Sequence, residues 1–261
     1  MSVAAELEEV GAVHVSGVLD DRWIVRLHAA IERCQAAPGE HYGVLSRPGE
    51  PVVDSDLFRW FDDPDLHAVV HDSPLPALAG ALLGAEEVVA VEDQWFASAP
   101  GATTASPWHQ DDPYYNIDPG FLTVWVALDD APAASALRVV PGSHRWGRLF
   151  APVEFAASRS TIGAPGALEP VPDVEDGPFE VRGWDVAAGD AIALHSRTLH
   201  AAGGAPIAGR PFRRLSTRWA AGDARYRDRG PHVASFWSTL QHGRVDGDLL
   251  ACDTFPIVWR R

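Results

Sequence analysis

From Glu87 onward the sequence breaks into short apolar runs separated by Gly, Pro and Asp: 88–95, 121–128, 137–140, 179–181, 191–194 and 215–219. Runs of this length, rich in Val, Leu, Phe and Trp and bounded by turn residues, read as strands. Many short strands must stack or close on one another to bury their faces. Before Glu87 the periodicity is helical. Asp20-Asp21 caps a segment carrying Trp23, Ile24, Leu27 and Ile31 on one stripe, which ends before Pro38-Gly39. Ser73-Pro74 makes an N-cap and first-turn pair for a helix with Leu75, Leu78, Leu82 and Leu83, closed by Gly84. Helices first and many strands after predict a mainly β chain of the α+β kind, in which helices (about residues 1–85) flank a jelly-roll core (about residues 86–261). No internal repeat is visible. At 261 residues the expectation is a single domain.

Composition narrows the partners. A net charge of −15 argues against an extended nucleic-acid or anionic-membrane surface. No run approaches the length of a membrane-spanning helix, and the N-terminus lacks a basic, then apolar, leader pattern. Two cysteines, Cys34 and Cys252, do not make a disulfide framework; reduced thiols in a cytoplasmic protein are expected. Residues 150–178 are aperiodic and end in an acidic run. A loop this long inside a compact domain is usually functional, so a substrate lid is expected there, with a plain surface loop as the alternative.

The strand-rich part contains Trp108-His109-Gln110-Asp111-Asp112-Pro113-Tyr114-Tyr115. His109 and Asp111 stand two apart, which on an extended strand points both to one side. Two imidazoles and one carboxylate on one face of a metal leave its other positions open, the pattern of non-haem Fe(II) oxygenases. Leu194-His195-Ser196-Arg197-Thr198-Leu199-His200 offers two further imidazoles, and His144 in a Pro-Gly-Ser-His turn is another. With 11 His and 36 acidic residues a His-x-Asp pair also arises by chance, so its surroundings decide its meaning.

Those surroundings have a familiar order. Gln94-Trp95-Phe96 precedes Trp108-His109-Gln110-Asp111, then Leu122-Thr123-Val124-Trp125-Val126-Ala127-Leu128-Asp129-Asp130 and Val139-Val140-Pro141-Gly142-Ser143-His144. Ala188-Gly189-Asp190, the His195 to His200 stretch, Arg213-Arg214-Leu215-Ser216-Thr217-Arg218-Trp219 and Phe255-Pro256-Ile257-Val258-Trp259 follow. In this order the pieces resemble the phytanoyl-CoA dioxygenase-like family of Fe(II)/2-oxoglutarate-dependent oxygenases. The resemblance implies a double-stranded β-helix of the cupin-like kind. It implies Fe(II), 2-oxoglutarate and O2, with His109, Asp111 and His200 as metal ligands and His195 as the competitor for the last place. It implies reaction at an unactivated C–H bond of a small molecule, by hydroxylation or by radical epimerisation or cyclisation.

The family's cosubstrate arginine follows the distal His closely. Here that place falls on Pro211 counted from His200, or on Phe212 counted back from Trp219. Arg213 and Arg214 are the nearest replacements, ahead of Arg210 and Arg218, and strand alternation turns only one of the pair inward. Arginine suits the task because its planar fork binds a carboxylate bidentately. Gln110 and Trp125 match family positions beside the cosubstrate, and Gln94 is a further candidate. Ala202 stands where the family often has Ser. Asp112, Tyr114 and Tyr115 are expected to face substrate, with ordinary packing as the alternative for the tyrosines. The intact Asp111 argues against chlorination, because related halogenases carry a small residue there. The absence of a basic patch argues against a coenzyme A thioester, and a bacterial secondary metabolite is the expected substrate class. Two other readings stay open: a cupin-type metalloenzyme that does not use 2-oxoglutarate, and a non-catalytic ligand-binding jelly roll. The oligomeric state is left open.

Overall fold

A computed structural model describes residues 2–155, 168–230 and 240–261. In chain order the helical part contains α1 (Val3–Val10), β1 (Ala12–Val15), α2 (Asp21–Ala36), β2 (Gly43–Val44), β3 (Val53–Leu57), α3 (Pro64–Asp72) and α4 (Leu75–Leu83). The strand-rich part contains β4 (Glu87–Ser98), β5 (Ile117–Asp118), β6 (Leu122–Ala127), β7 (Leu137–Val139), β8 (Arg182–Gly183), β9 (Ala191–His195), β10 (His200–Ala202), β11 (Phe212–Ala221), β12 (Arg225–Tyr226) and β13 (Ile257–Arg260).

The helices form where local chemistry favours them. Asp20 accepts from the Arg22 and Trp23 N–H groups and starts α2, which buries Ile24, Leu27, Ala30, Ile31 and Cys34 along one stripe. Asp63 caps α3 in the same way, with Pro64 in its first turn. The Ser73 hydroxyl accepts from Leu75 N–H and donates to the Val69 carbonyl, so it links α3 to α4 as well as capping the latter. Gly84 closes α4 in the left-handed region, as the sequence predicts. Gly11 ends α1 at a φ of 83°, and a Cβ there would stand 2.3 Å from His144 Nδ1. Only glycine meets both conditions.

The major sheet runs β1-β9-β6-β11-β4-β3-β2, with β13 also paired to β4, and every pairing is antiparallel. One face is covered by the helices. Leu27, Ile31, Leu66, Val69 and Leu75 pack there against Val124, Val126, Trp95, Leu215 and Trp219. Each such side chain, when fully buried, stabilises the fold by roughly 1.5–3 kcal/mol. The other face meets a smaller sheet, β10-β7-β8, through Trp125, Ile192, Leu194 and Phe212 packed on Leu137, Val139 and Val186. This is the jelly roll the strand pattern predicts. It also explains why β6 reads as an apolar run interrupted by Thr123 alone: it is buried on both faces.

Two expectations need correction. The stretch before Glu87 is not wholly helical, because β1, β2 and β3 lie in the major sheet. β3 hides its nature behind buried acidic residues whose partners come from outside the strand: Asp54 accepts from Gln35 and Tyr42, and Asp56 pairs with Arg59 at 2.8 Å. The run 179–181 is not a strand; the pairing with β7 starts one residue later, at Arg182. The lid expectation for residues 150–178 falls partly on residues 156–167, which lie outside the described residues. No helix among the described residues is long and apolar enough to cross a membrane.

Candidate metal centre

His109 and His200 face each other across an isolated antiparallel bridge. Each N–H donates to the other's carbonyl, at 3.0 and 2.9 Å. Their ring centroids are 4.1 Å apart. The extended-strand expectation for His109 and Asp111 fails at Asp111, which is in the αR region (φ −73°, ψ −36°) and leads into the 3-10 turn Asp112–Tyr114. The turn, rather than strand alternation, swings the carboxylate under the two rings.

The rings are oriented by the backbone. His109 Nδ1 is 2.8 Å from the Pro107 carbonyl and His200 Nδ1 is 2.8 Å from the Thr198 carbonyl. A carbonyl only accepts, so both Nδ1 atoms carry the proton and both Nε2 atoms present a lone pair. Those lone pairs converge on Asp111 Oδ1, at 3.4 and 3.7 Å. One donor atom from each of the three buried residues lies within 4.8 Å of the others. Burial, then His109, pushes His200 down to about 3, so it stays neutral. Burial alone would raise the Asp111 carboxyl, but the Arg218 guanidinium above all outweighs it, and the carboxyl is held well below the usual carboxylate range. Two imidazoles with their Nε2 atoms turned inward and one carboxylate fit a divalent cation of the iron type.

A pocket open to solvent lies beside these residues. His109, His200, Trp125, Ala202, Arg214, Ser216 and Arg218 line it on the sheet side, with Leu45, Val53, Phe96, Leu137 and Phe155 making an apolar wall. Strand alternation separates the neighbouring arginines. Arg214 points into the cavity; Arg213 points to the helices, where it pairs with Asp129 at 2.9 Å. Arg213 is therefore withdrawn as a cosubstrate anchor. Arg214 donates to Ser98 Oγ at 2.6 Å and to the Phe212 carbonyl, and among the described residues no carboxylate pairs with it. Burial pulls its guanidinium down to about 10.

The structure does not bring the other sequence candidates to the cavity. Gln110 spends its amide on the Arg148 and Arg197 carbonyls and the Phe150 N–H, and so staples loops together. Gln94 holds Ser55 and Arg218. Asp112 is fully buried between Arg197 and Arg229. Tyr114 packs edge-on to His109, but its hydroxyl is tied to both the carbonyl and the N–H of Val153. Tyr115 donates to Glu92 Oε1 at 2.6 Å. These are internal hydrogen-bonding groups, and their partners are too distant in sequence to be anticipated. His195 stands apart from the three-residue cluster. Its Nδ1 accepts from Arg197 N–H, and burial, then His144, pushes it down to about 4. His144 is bound to the Glu8 carbonyl.

Two residues given little or no weight in the sequence matter here. Thr123 donates to Asp111 Oδ2 at 2.6 Å. Arg218 lines the cavity with its Nε 3.8 Å from the same oxygen, and its Nη1 is 2.9 Å from Glu92. Burial pushes Glu92 up to about 7 against the pull of Arg218. The shared strand face of Arg214, Ser216 and Arg218 was the available signal for Arg218.

The family model for phytanoyl-CoA dioxygenase (PhyH) matches residues 7–206. No curated protein matches the sequence. Among solved structures, the epimerase SnoN in complex with Fe3+, alpha ketoglutarate and nogalamycin RO is similar at 24% identity, over 98% of this chain and 97% of that one, with a TM-score of 0.76. The alpha ketoglutarate-dependent carbocyclase SnoK from nogalamycin biosynthesis is similar at 24% identity over 99% and 97%, with a TM-score of 0.76. AviO1 from Streptomyces viridochromogenes Tue57 follows at 21% identity over 84% and 93%, with a TM-score of 0.63.

Proposed function

Because the chain belongs to the phytanoyl-CoA dioxygenase family and is an Fe(II)/2-oxoglutarate-dependent oxygenase, we propose that His109, Asp111 and His200 hold its iron, that Arg214 anchors its 2-oxoglutarate, and that it modifies an unactivated C–H bond of a small secondary metabolite. The observation that carries the site assignment is one of geometry. Three ligand atoms lie within 4.8 Å of one another, and the same cavity presents a buried guanidinium with no carboxylate partner among the described residues. Iron held there by His109, Asp111 and His200 would supply, with 2-oxoglutarate and O2, the oxidising power to remove a hydrogen atom.

The chain's own share is binding, orientation and exclusion of water. The backbone bridge and the two Nδ1–H donations fix the imidazoles before any metal arrives. Arg214 offers a bidentate fork for the distal carboxylate, and Trp125 lines the cavity beside it. Leu45, Val53, Phe96, Leu137 and Phe155 exclude water and present an apolar surface to substrate. Such a wall suits a bulky, weakly charged molecule, and the net charge of −15 disfavours a coenzyme A thioester. The likeness to SnoN and SnoK favours tailoring of a polycyclic natural product, by hydroxylation, epimerisation or ring closure. We take the helical part and the jelly roll as one catalytic domain acting in the cytoplasm. Arg214 is also the argument against a cupin-type enzyme independent of 2-oxoglutarate.

The test is succinate release on incubation with Fe(II), 2-oxoglutarate and a panel of polycyclic aromatic polyketides. Succinate that depends on His109, Asp111 and His200 is expected. Turnover that proceeds without 2-oxoglutarate would overturn the reading.

A further inference from the structure

We infer that Thr123 and Arg218 are positioning residues that turn Asp111 so that it offers a metal one oxygen, Oδ1. The inference rests on the reading of His109, Asp111 and His200 as the ligands.

The two oxygens of Asp111 lie in different surroundings. Oδ1 faces the His109 and His200 Nε2 atoms at 3.4 and 3.7 Å. Oδ2 faces Thr123 Oγ1 at 2.6 Å and Arg218 Nε at 3.8 Å. A hydroxyl donating to a carboxylate at that distance is in the short, charge-assisted range. Arg218 Nε has no hydrogen-bond partner in the described structure, although it is buried. The carboxylate oxygen recorded nearest to it is Asp111 Oδ2, an ion-pair contact at 3.8 Å rather than a direct hydrogen bond.

The sheet makes this arrangement rigid. Glu92 on β4, Arg218 on β11 and Thr123 on β6 stand directly opposite one another across three adjacent strands. They form one row on the site face of the major sheet, and the row ends on Asp111. Glu92 anchors Arg218 Nη1 at 2.9 Å, Gln94 Oε1 accepts from the same Nη1 at 3.1 Å, and Tyr115 donates to Glu92 at 2.6 Å. Thr123 is β-branched and restricted in χ1, so its hydroxyl direction is set by the strand. Asp111 sits in a turn and lacks such support from its own backbone. The row supplies it. Arg218 is thereby distinguished from Arg214: the charge of Arg218 is matched by Glu92, whereas Arg214 has no carboxylate partner among the described residues.

The experiment is Co(II) binding to the metal-free protein without 2-oxoglutarate, read by calorimetry and by the visible spectrum of the bound ion. Thr123→Val keeps the side-chain shape and removes the donor. It should weaken Co(II) binding by roughly 10–100-fold, the usual effect of losing a group that orients a ligand, and alter the spectrum. Thr123→Ser keeps the hydroxyl and should restore both. Arg218→Lys keeps a cation for Glu92 but removes Nε, and should weaken binding less than Thr123→Val does. Wild-type affinity and spectrum in Thr123→Val, with loss of Co(II) in Asp111→Ala, would overturn this inference alone. Wild-type Co(II) binding in Asp111→Ala would overturn the ligand assignment and this inference together.

Discussion

Replacing Arg214 with Met should do two opposite things. Arg214 is 6% exposed, and burial pulls its pKa from 12.5 to about 10. That difference corresponds to about 3 kcal/mol of unfavourable charge burial in the empty protein. Met removes this cost and fills similar space, and replacing a buried charge by an apolar side chain is often neutral or stabilising. The hydrogen bonds to Ser98 and Phe212 are lost with the guanidinium, at roughly 1–3 kcal/mol for the two. The protein without cosubstrate should therefore range from unchanged to about 2 kcal/mol more stable. With cosubstrate the sign reverses. A carboxylate left without its bidentate partner costs roughly 2–5 kcal/mol, or about 30- to several-thousand-fold in 2-oxoglutarate affinity. Urea denaturation without ligand and calorimetric titration of 2-oxoglutarate into the Co(II)-loaded protein measure the two halves. Native 2-oxoglutarate affinity in Arg214→Met would refute the anchor. A loss of more than about 2 kcal/mol in the ligand-free protein would refute the claim that the charge is held at a cost.

Three further outcomes are expected. Ala at His109, Asp111 or His200 should abolish substrate-dependent succinate release with the circular dichroism spectrum unchanged, whereas His195→Ala should retain it; the reverse pattern for the two histidines would move the distal ligand to His195. His195 has a folded pKa of about 4 against 6.5 in the free residue, so the unfolded chain binds the extra proton between those values and stability falls as pH drops through that window. His195→Asn keeps an acceptor for Arg197 N–H and should lose about 2 kcal/mol less than wild type between pH 7.5 and 5, measured by urea denaturation; an equal loss would show that His195 is not the titrating group. Because Asp111 keeps the place that chloride would need, turnover in chloride should give products that are hydroxylated, isomerised or cyclised, with one succinate per coupled turnover, and a chlorinated product by mass spectrometry would contradict it.

The sequence made the strand-rich core legible because its runs are buried on both faces and bounded by turn residues, as β6, β9 and β11 are. β3 was not legible, because its acidic residues are buried with hydrogen bonds from Gln35 and Tyr42 to Asp54 and an ion pair between Asp56 and Arg59. His109, Asp111 and His200 could be picked out by order and residue type, but not the way they meet. A β-bridge between two distant segments and an αR turn bring them together, where a single extended strand was expected for His109 and Asp111. The choice between Arg213 and Arg214 was nearly decided in the sequence. Leu215 and Trp219 share a face with Arg213, and two large apolar residues mark the helix-covered side. Tyr114, Tyr115, Gln110 and Asp112 stay out of the cavity lining for a common reason, the packing alternative in the case of the tyrosines. Their hydrogen-bond partners, Val153, Glu92, Phe150 and Arg229, lie on other elements, and sequence proximity to a ligand does not imply a place in the cavity.

A crystal structure grown anaerobically with Fe(II) and 2-oxoglutarate tests the central claim most directly. The account predicts one metal bonded at about 2.0–2.2 Å to His109 Nε2, Asp111 Oδ1 and His200 Nε2, with the distal carboxylate of 2-oxoglutarate on Arg214. A metal bound through His195 or His144, or a cosubstrate carboxylate held by another arginine, would contradict it.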